Sequence, residues 1–290
     1  MKPSAFEYHA PESVDEAVTL LTELGDGAKV LAGGQSLVPM LSLRLTYFDH
    51  LVDIGNIPDL CGIRNEPGLV VVGATTLDAA VEHDAELAAR VPLIARATPL
   101  IGHFQIRNRG TVGGSIAHAD PAAEYPAVAL TLDAEMEAVS QRGSRRIPAA
   151  NFFEGFWTTA LAPDELLAAV RFPTWTGRCG FAIREFARRF GDFAIAGAVA
   201  AVQIDDDDRI TRAAIGLLGL GSTAMRATEA ERAALGRQAD ISPDELGALA
   251  VSELTDVPSD VHGSAQYRRR VGAAMVSRAW VAAVEEARNA

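Results

Sequence analysis

The chain has 290 residues, 49% of them apolar and 22% charged, with a formal net charge of −12. That length gives room for two or three modules with separate cores, and the apolar fraction excludes a disordered chain. The acidic balance argues against a nucleic-acid surface or one docked on anionic lipid, and the longest apolar run, residues 193–202 with Gly197 inside it, is too short to span a bilayer.

Ser13-Val14-Asp15-Glu16 has the capping-box pattern, and Val14, Ala17, Val18 and Leu21 recur at helical spacing until Gly25. A strand over residues 29–32 runs into the turn Gly33-Gly34; a helix over 37–45 and a strand over 51–54 complete a compact unit. The turn cluster Asn56-Ile57-Pro58-Asp59 marks a first boundary. Residues 69–72 read as a strand and 76–83, 85–90 and 93–101 as helices. A long glycine-rich stretch, read as a loop, comes next, before a helix at 127–132 and strands at 135–140, 145–147 and 166–172.

Phe172-Pro173-Thr174-Trp175-Thr176-Gly177 marks the second boundary. Strands at 180–187, 195–204 and 210–218 follow as a meander, with Asp205-Asp206-Asp207-Asp208 at its second turn. That acidic run lacks the spaced ligands and closing glutamate of a calcium loop and reads as a solvated turn. Helices at 226–235, 243–253 and 265–287 end the chain; Tyr267, Val271, Met275 and Ala279 form the stripe expected to pack on the meander. Elements without regular βαβ alternation give an α+β chain of three parts: 1–55, 56–175 and 176–290.

Two stretches carry the chemistry. Leu31-Ala32-Gly33-Gly34-Gln35-Ser36-Leu37 and Arg107-Asn108-Arg109-Gly110-Thr111-Val112-Gly113-Gly114-Ser115 each place a serine just after a Gly-Gly pair. Such turns leave backbone N–H groups open to an anion, and two of them can grip the two phosphates of a diphosphate. With Lys2 and Lys29 the only lysines, an anionic ligand must depend on amides and a few arginines. Thr111 and Ser115 add hydroxyl donors; Asp120 and Glu124, accepting when ionised, suit ribose hydroxyls or a base N–H.

A second glycine signal, Gly219-Leu220-Gly221-Ser222-Thr223-Ala224, follows a strand that reads as part of an antiparallel hairpin, which makes it a connection and not a Rossmann fingerprint. His9, His50, His83, His103 and His262 are scattered, with no metal-binding pair; His118 lies within the glycine-rich stretch. Cys61 and Cys179 lack any Cys-x-x-Cys partner and read as buried thiols of a reducing cytoplasm. Two such thiols cannot hold an iron–sulfur cluster. The N-terminus has no apolar signal core, and no nucleophile elbow is present. No catalytic side chain and no metal ligand is assigned.

Ala32-Gly33-Gly34-Gln35-Ser36-Leu37, Ile106 to Ser115, Ala117-His118-Ala119-Asp120-Pro121-Ala122-Ala123-Glu124 and Arg188-Arg189-Phe190-Gly191-Asp192-Phe193-Ala194 occur in that order. In this the chain resembles the FAD-binding medium subunit of the molybdenum hydroxylases, the carbon monoxide and xanthine dehydrogenase type. The resemblance implies a vanillyl-alcohol-oxidase-type FAD fold of two subdomains, followed by a C-terminal antiparallel sheet with helices. It implies that residues 31–37 and Thr111, Gly113, Gly114 and Ser115 hold the FAD diphosphate, with His118 in the same stretch. Asp120 and Glu124 would touch the ribityl–ribose or adenosine part; Ile101, Leu161, Arg184 and Phe193 would lie about the flavin ring. Xanthine dehydrogenases often place a lysine where Arg184 falls, and some relatives carry a tyrosine or tryptophan at Phe193.

By the same resemblance the partners are a molybdenum-cofactor large subunit and a small subunit with two iron–sulfur clusters, assembled as a dimer of heterotrimers in the cytoplasm. The chain would pass electrons from those clusters to an external acceptor. Two other readings are a stand-alone FAD-dependent reductase of the same fold, for which no proton-donating acid stands out, and a structural adaptor without cofactor.

Overall fold

The computed structural model describes residues 2–290. The first unit is a parallel sheet in the order β1-β3-β2, from strands β1 (Glu7–His9), β2 (Ala28–Leu31) and β3 (His50–Asp53). Between β1 and β2 lies α1 (Val14–Leu24), capped as its sequence predicts: the Ser13 hydroxyl accepts from the Glu16 N–H at 3.2 Å, and the Glu16 carboxylate accepts from the Glu12 N–H at 2.9 Å. Ala17, Val18 and Leu21 bury one face of that helix against Val52 and Ile54. The short α2 (Leu37–Ser42) follows the first glycine turn. Strand β1 was not anticipated, because three residues of mixed polarity carry no periodic signal.

The second unit is a five-stranded antiparallel sheet in the order β4-β5-β10-β6-β7. Its strands are β4 (Ile63–Glu66), β5 (Leu69–Gly73), β6 (Glu135–Ser140), β7 (Gly143–Pro148) and β10 (Leu166–Pro173); the ribbon β8 (Phe153–Gly155) and β9 (Thr158–Thr159) stands apart. Strand β4 also escaped the sequence reading, since Arg64, Asn65 and Glu66 give it a polar face at the sheet edge. Six helices lie between β5 and β6 in the chain, α3 (Asp78–His83), α4 (Ala85–Arg90), α5 (Pro92–Ala97), α6 (Phe104–Arg107), α7 (Val112–His118) and α8 (Glu124–Thr131), and α7 packs on β5 and β10. Two of them occupy the glycine-rich stretch that reads as a loop.

The third unit is the meander β11 (Cys179–Phe186), β12 (Ala196–Ile204), β13 (Ile210–Leu218) and β14 (Met225–Arg226), with α9 (Thr228–Ala234), α10 (Pro243–Ser252) and α11 (Ala265–Asn289) behind it. Phe181 and Ile183 of β11 face a core shared with the second unit, while Ala182 faces α11. The buried face of α11 is Gly272, Met275, Val276, Ala279, Trp280 and Ala283, so the stripe is displaced: Met275 and Ala279 lie in it, but Tyr267 is exposed. The turn Gly219–Ala224 leaves an antiparallel strand, as expected. The aspartate run turns β12 into β13, with Asp208 paired to Arg178 and Arg288.

Arg268 ties this unit together from a buried position, donating to the Ile195 carbonyl (2.5 Å), the Gly219 carbonyl (3.2 Å) and Asp260 Oδ2 (2.7 Å). Arg268→Met leaves those acceptors without a donor and should cost about 3 kcal/mol. Urea denaturation should show a lower midpoint at unchanged m-value.

Candidate functional site

The two glycine stretches meet. Strand β2 ends in the turn Ala32–Ser36, where Gly34 has φ +71° and the Gln35 side-chain amide folds back onto the Gly33 carbonyl at 2.9 Å. A Cβ on Gly33 would stand 2.0 Å from the Arg109 carbonyl oxygen and 2.9 Å from Gly110 Cα, so only glycine lets the turns touch. The backbone N–H groups of Gly33, Gly34, Gln35, Ser36 and Leu37 have no acceptor among the described residues. Consecutive open amides leading into a helix start form a nest of partial positive charge suited to phosphate oxygens.

The second stretch contributes differently from its expected role. Its amides are not bare: Val112 N–H donates to the Thr76 carbonyl (3.0 Å), Gly113 to Ala74 (2.9 Å) and Ser115 to Thr111 (3.0 Å). Thr111 is the N-cap of α7, its hydroxyl accepting from the Gly114 N–H at 3.1 Å. Gly113 is small because a Cβ there would lie 2.4 Å from that of Ala74; a Cβ on Gly114 would stand 2.6 Å from the Thr111 hydroxyl oxygen and 3.6 Å from the Cβ of Ala32, so the cap and the first turn both crowd that position. What this stretch keeps for a ligand is the hydroxyl hydrogen of Thr111 and the Ser115 side chain. The sequence pattern is the same in both stretches, yet the first turn leaves its amides open while the second folds them into a helix.

Beyond α7, His118 stacks on Trp157 with ring centroids 5.6 Å apart and planes 22° from parallel. Burial pushes the His118 pKa below its ordinary value, which favours the neutral ring. Asp120 accepts from Trp157 Nε1 at 3.2 Å and from the Ala122 N–H at 2.8 Å. Trp157 thus joins two predicted site residues, although the sequence reading passed over it; the aromatic pair Phe156-Trp157, both exposed, was the available signal.

Ile101 and Leu161 are half-buried against the core of the second unit, and Phe193 is 65% exposed. Glu124, only 7% exposed, has its pKa pushed up to about 8 by burial and by the nearby Glu185. Burial raises Glu185 itself to about 7 and leaves its Oε2 without a hydrogen-bond partner. Asp78 is likewise raised to about 7 by burial, against the opposing charge of Arg107, and its Oδ1 is unpartnered. Arg184, read as the cation at the flavin, alternates with Glu185 along β11 and so shares the Ala182 side, beside Arg96 and Glu286; its guanidinium donates to the Ile183 carbonyl at 2.9 Å. The side chain of this pair that faces Glu124 is the carboxyl.

Two expectations outside this region are corrected. Cys61 is exposed; only Cys179 is a buried thiol. His9 and His50 are not scattered but adjacent, with Nε2 and Nδ1 3.2 Å apart, because β1 and β3 pair across 41 residues.

Residues 4–175 match the family described as the FAD binding domain in molybdopterin dehydrogenase, and residues 181–283 match the CO dehydrogenase flavoprotein C-terminal domain. The chain is 42% identical to the 6-hydroxypseudooxynicotine dehydrogenase complex subunit alpha of Paenarthrobacter nicotinovorans, over 99% of this chain and 97% of that one. It is 39% identical to the carbon monoxide dehydrogenase medium chain of Afipia carboxidovorans, with both chains fully covered. Among solved structures it superposes on carbon monoxide dehydrogenase from Hydrogenophaga pseudoflava with a TM-score of 0.95, at 39% identity and 99% coverage of each chain. For quinoline 2-oxidoreductase from Pseudomonas putida 86 the TM-score is 0.93, at 35% identity and 99% coverage of each.

Proposed function

This chain belongs to the FAD-binding medium subunits of the molybdopterin hydroxylases, of the carbon monoxide dehydrogenase type, and from that premise we propose that it is the electron-relay subunit of such a complex. The site suits FAD: open amides at residues 33–37, with the hydroxyls of Thr111 and Ser115 on the stretch that touches them. Bound there, FAD supplies the exchange between single-electron donors and a two-electron acceptor. The observation that carries the reading is the contact of the two glycine turns beside five consecutive backbone amides that bond to no acceptor among the described residues.

The chain's own residues bind and orient. The 33–37 amides and the Thr111 and Ser115 hydroxyls hold the diphosphate; Trp157 and His118 shape the wall on which Asp120 is fixed. Ile101, Leu161 and Phe193 would offer apolar surface to the ring, Asp120 and Glu124 would meet the ribityl–ribose or adenosine part, and burial favours the protonated forms of Glu124 and Glu185. No side chain is required as nucleophile or general base. In the assembly so proposed, a small partner with iron–sulfur clusters would supply the electrons and a molybdenum-bearing large partner would oxidise substrate, as a dimer of heterotrimers. Two free thiols support a reducing cytoplasm, and no helix among the described residues is long and apolar enough to cross a membrane.

Affinity purification of the tagged chain from its host should recover two further polypeptides with molybdenum and iron. The chain purified alone should hold flavin without metal and fail to oxidise NAD(P)H with a second substrate. Recovery of a lone yellow protein that turns over unaided would establish the stand-alone reductase instead. A colourless chain would establish the adaptor.

A further inference from the structure

Away from the flavin site, Glu7, His9 and His50 each bring a ligand atom within 4.8 Å of the others. The strand register builds this cluster. In the parallel pair β1–β3, Glu7 lies opposite His50, and His9, two residues on, shares the face of Glu7. His50 Nδ1 is therefore flanked from both sides, 3.2 Å from His9 Nε2 and 3.5 Å from Glu7 Oε2.

Zinc in a tetrahedral site binds nitrogen and carboxylate oxygen at about 2.0–2.2 Å, which sets its ligand atoms roughly 3.4 Å apart. The two separations from His50 are edges of that tetrahedron. We propose that Glu7, His9 and His50 form a three-ligand site for a borderline divalent cation of the zinc class, with water in the fourth position. Two imidazoles and one carboxylate match that class and fit poorly with magnesium or calcium, which take all-oxygen shells. The face is open to solvent at Glu7, whose side chain is 74% exposed, so an ion has a path in. The bound ion would close a loop of 41 residues and fasten β1, an edge strand of three residues paired on one side only, to the centre of its sheet. The competing arrangement is a bare hydrogen bond between the imidazoles, one nitrogen protonated and the other accepting, with Glu7 beside them.

The test uses the full chain, freed of metal with a chelator and then titrated with Zn²⁺ and Co²⁺. Expected are one equivalent bound, visible cobalt bands of tetrahedral intensity, and a melting temperature that rises with Zn²⁺. His9→Ala and His50→Ala should each weaken Zn²⁺ binding by about tenfold or more, because outer-shell losses already cost that much, and should abolish the rise in melting temperature at unchanged FAD content. Glu7→Gln, on an exposed side chain that cannot unfold the protein, should also weaken binding. No stoichiometric uptake, an octahedral cobalt spectrum, or uptake equal in the wild type and all three variants would overturn the site and leave the hydrogen-bonded pair.

Discussion

Gly33→Ala should leave a folded chain that no longer retains FAD. The added methyl would stand 2.0 Å from the Arg109 carbonyl oxygen and 2.8 Å from its carbonyl carbon, both backbone atoms with no rotamer to escape into. The turns must part by more than an ångström, which moves the open amides of residues 33–37 away from the stretch that carries Thr111 and Ser115. Overpacking of this kind costs about 1–3 kcal/mol, and losing even one of several charge-assisted hydrogen bonds to the diphosphate weakens binding by about tenfold per 1.4 kcal/mol. Gly68→Ala is the matched control. Its φ of +74° strains an alanine with nothing within 4 Å of the new methyl, so it lowers stability without touching the turns and should keep stoichiometric flavin. Gly114→Val disturbs the contact from the other side, its Cβ standing 2.6 Å from Thr111 Oγ1 and 3.6 Å from the Cβ of Ala32. Flavin absorbance per mole of purified chain reads all three; full occupancy in both Gly33→Ala and Gly114→Val would show that the turns do not hold the cofactor.

The parts of this site visible in the sequence were those written in backbone chemistry. Gly33-Gly34 and Gly113-Gly114 announce close approach because bulk is missing where a chain normally uses it. What spacing cannot say is which amides are already spent. The helix α7 consumes Val112, Gly113 and Ser115 by bonding to Thr76, Ala74 and Thr111, partners set by tertiary pairing in one direction and by the cap in the other. Trp157 was invisible for a related reason: its contacts with His118 and Asp120 span about forty residues and exist only once the β8–β9 ribbon folds over α7. Which side of β11 Arg184 and Glu185 each take is a matter of strand parity, where a shift of one residue exchanges the two faces. Likewise His9 and His50 met through a parallel pairing whose first strand is too short to show periodicity.

The buried carboxyls give the second large effect, in the dependence of stability on pH. Glu124, Glu185 and Asp78 ordinarily titrate at 4.5, 4.5 and 3.8, and burial lifts them to about 8, 7 and 7. Between those limits the folded chain keeps protons that the unfolded chain has released, so unfolding liberates them and stability falls as pH rises. Each group contributes about 1.4 kcal/mol per pH unit across its own window; the contribution is whole below pH 4.5 and gone above about pH 8 for Glu124. Glu124→Gln keeps the shape and removes the titration. Urea melts at pH 5 and pH 8 should therefore show the variant losing less stability than the wild type over that interval, by a few kcal/mol in sum. Parallel stability profiles would mean that Glu124 is ionised throughout. The same protons bear on the proposed cofactor: an acidic chain accepts a diphosphate more readily while its buried carboxyls are neutral, and a protonated Glu124 can donate where the ionised form only accepts. FAD should accordingly dissociate more readily from the wild type at pH 8.5 than at pH 6, and Glu124→Gln should flatten that difference, which equilibrium dialysis at the two values would measure.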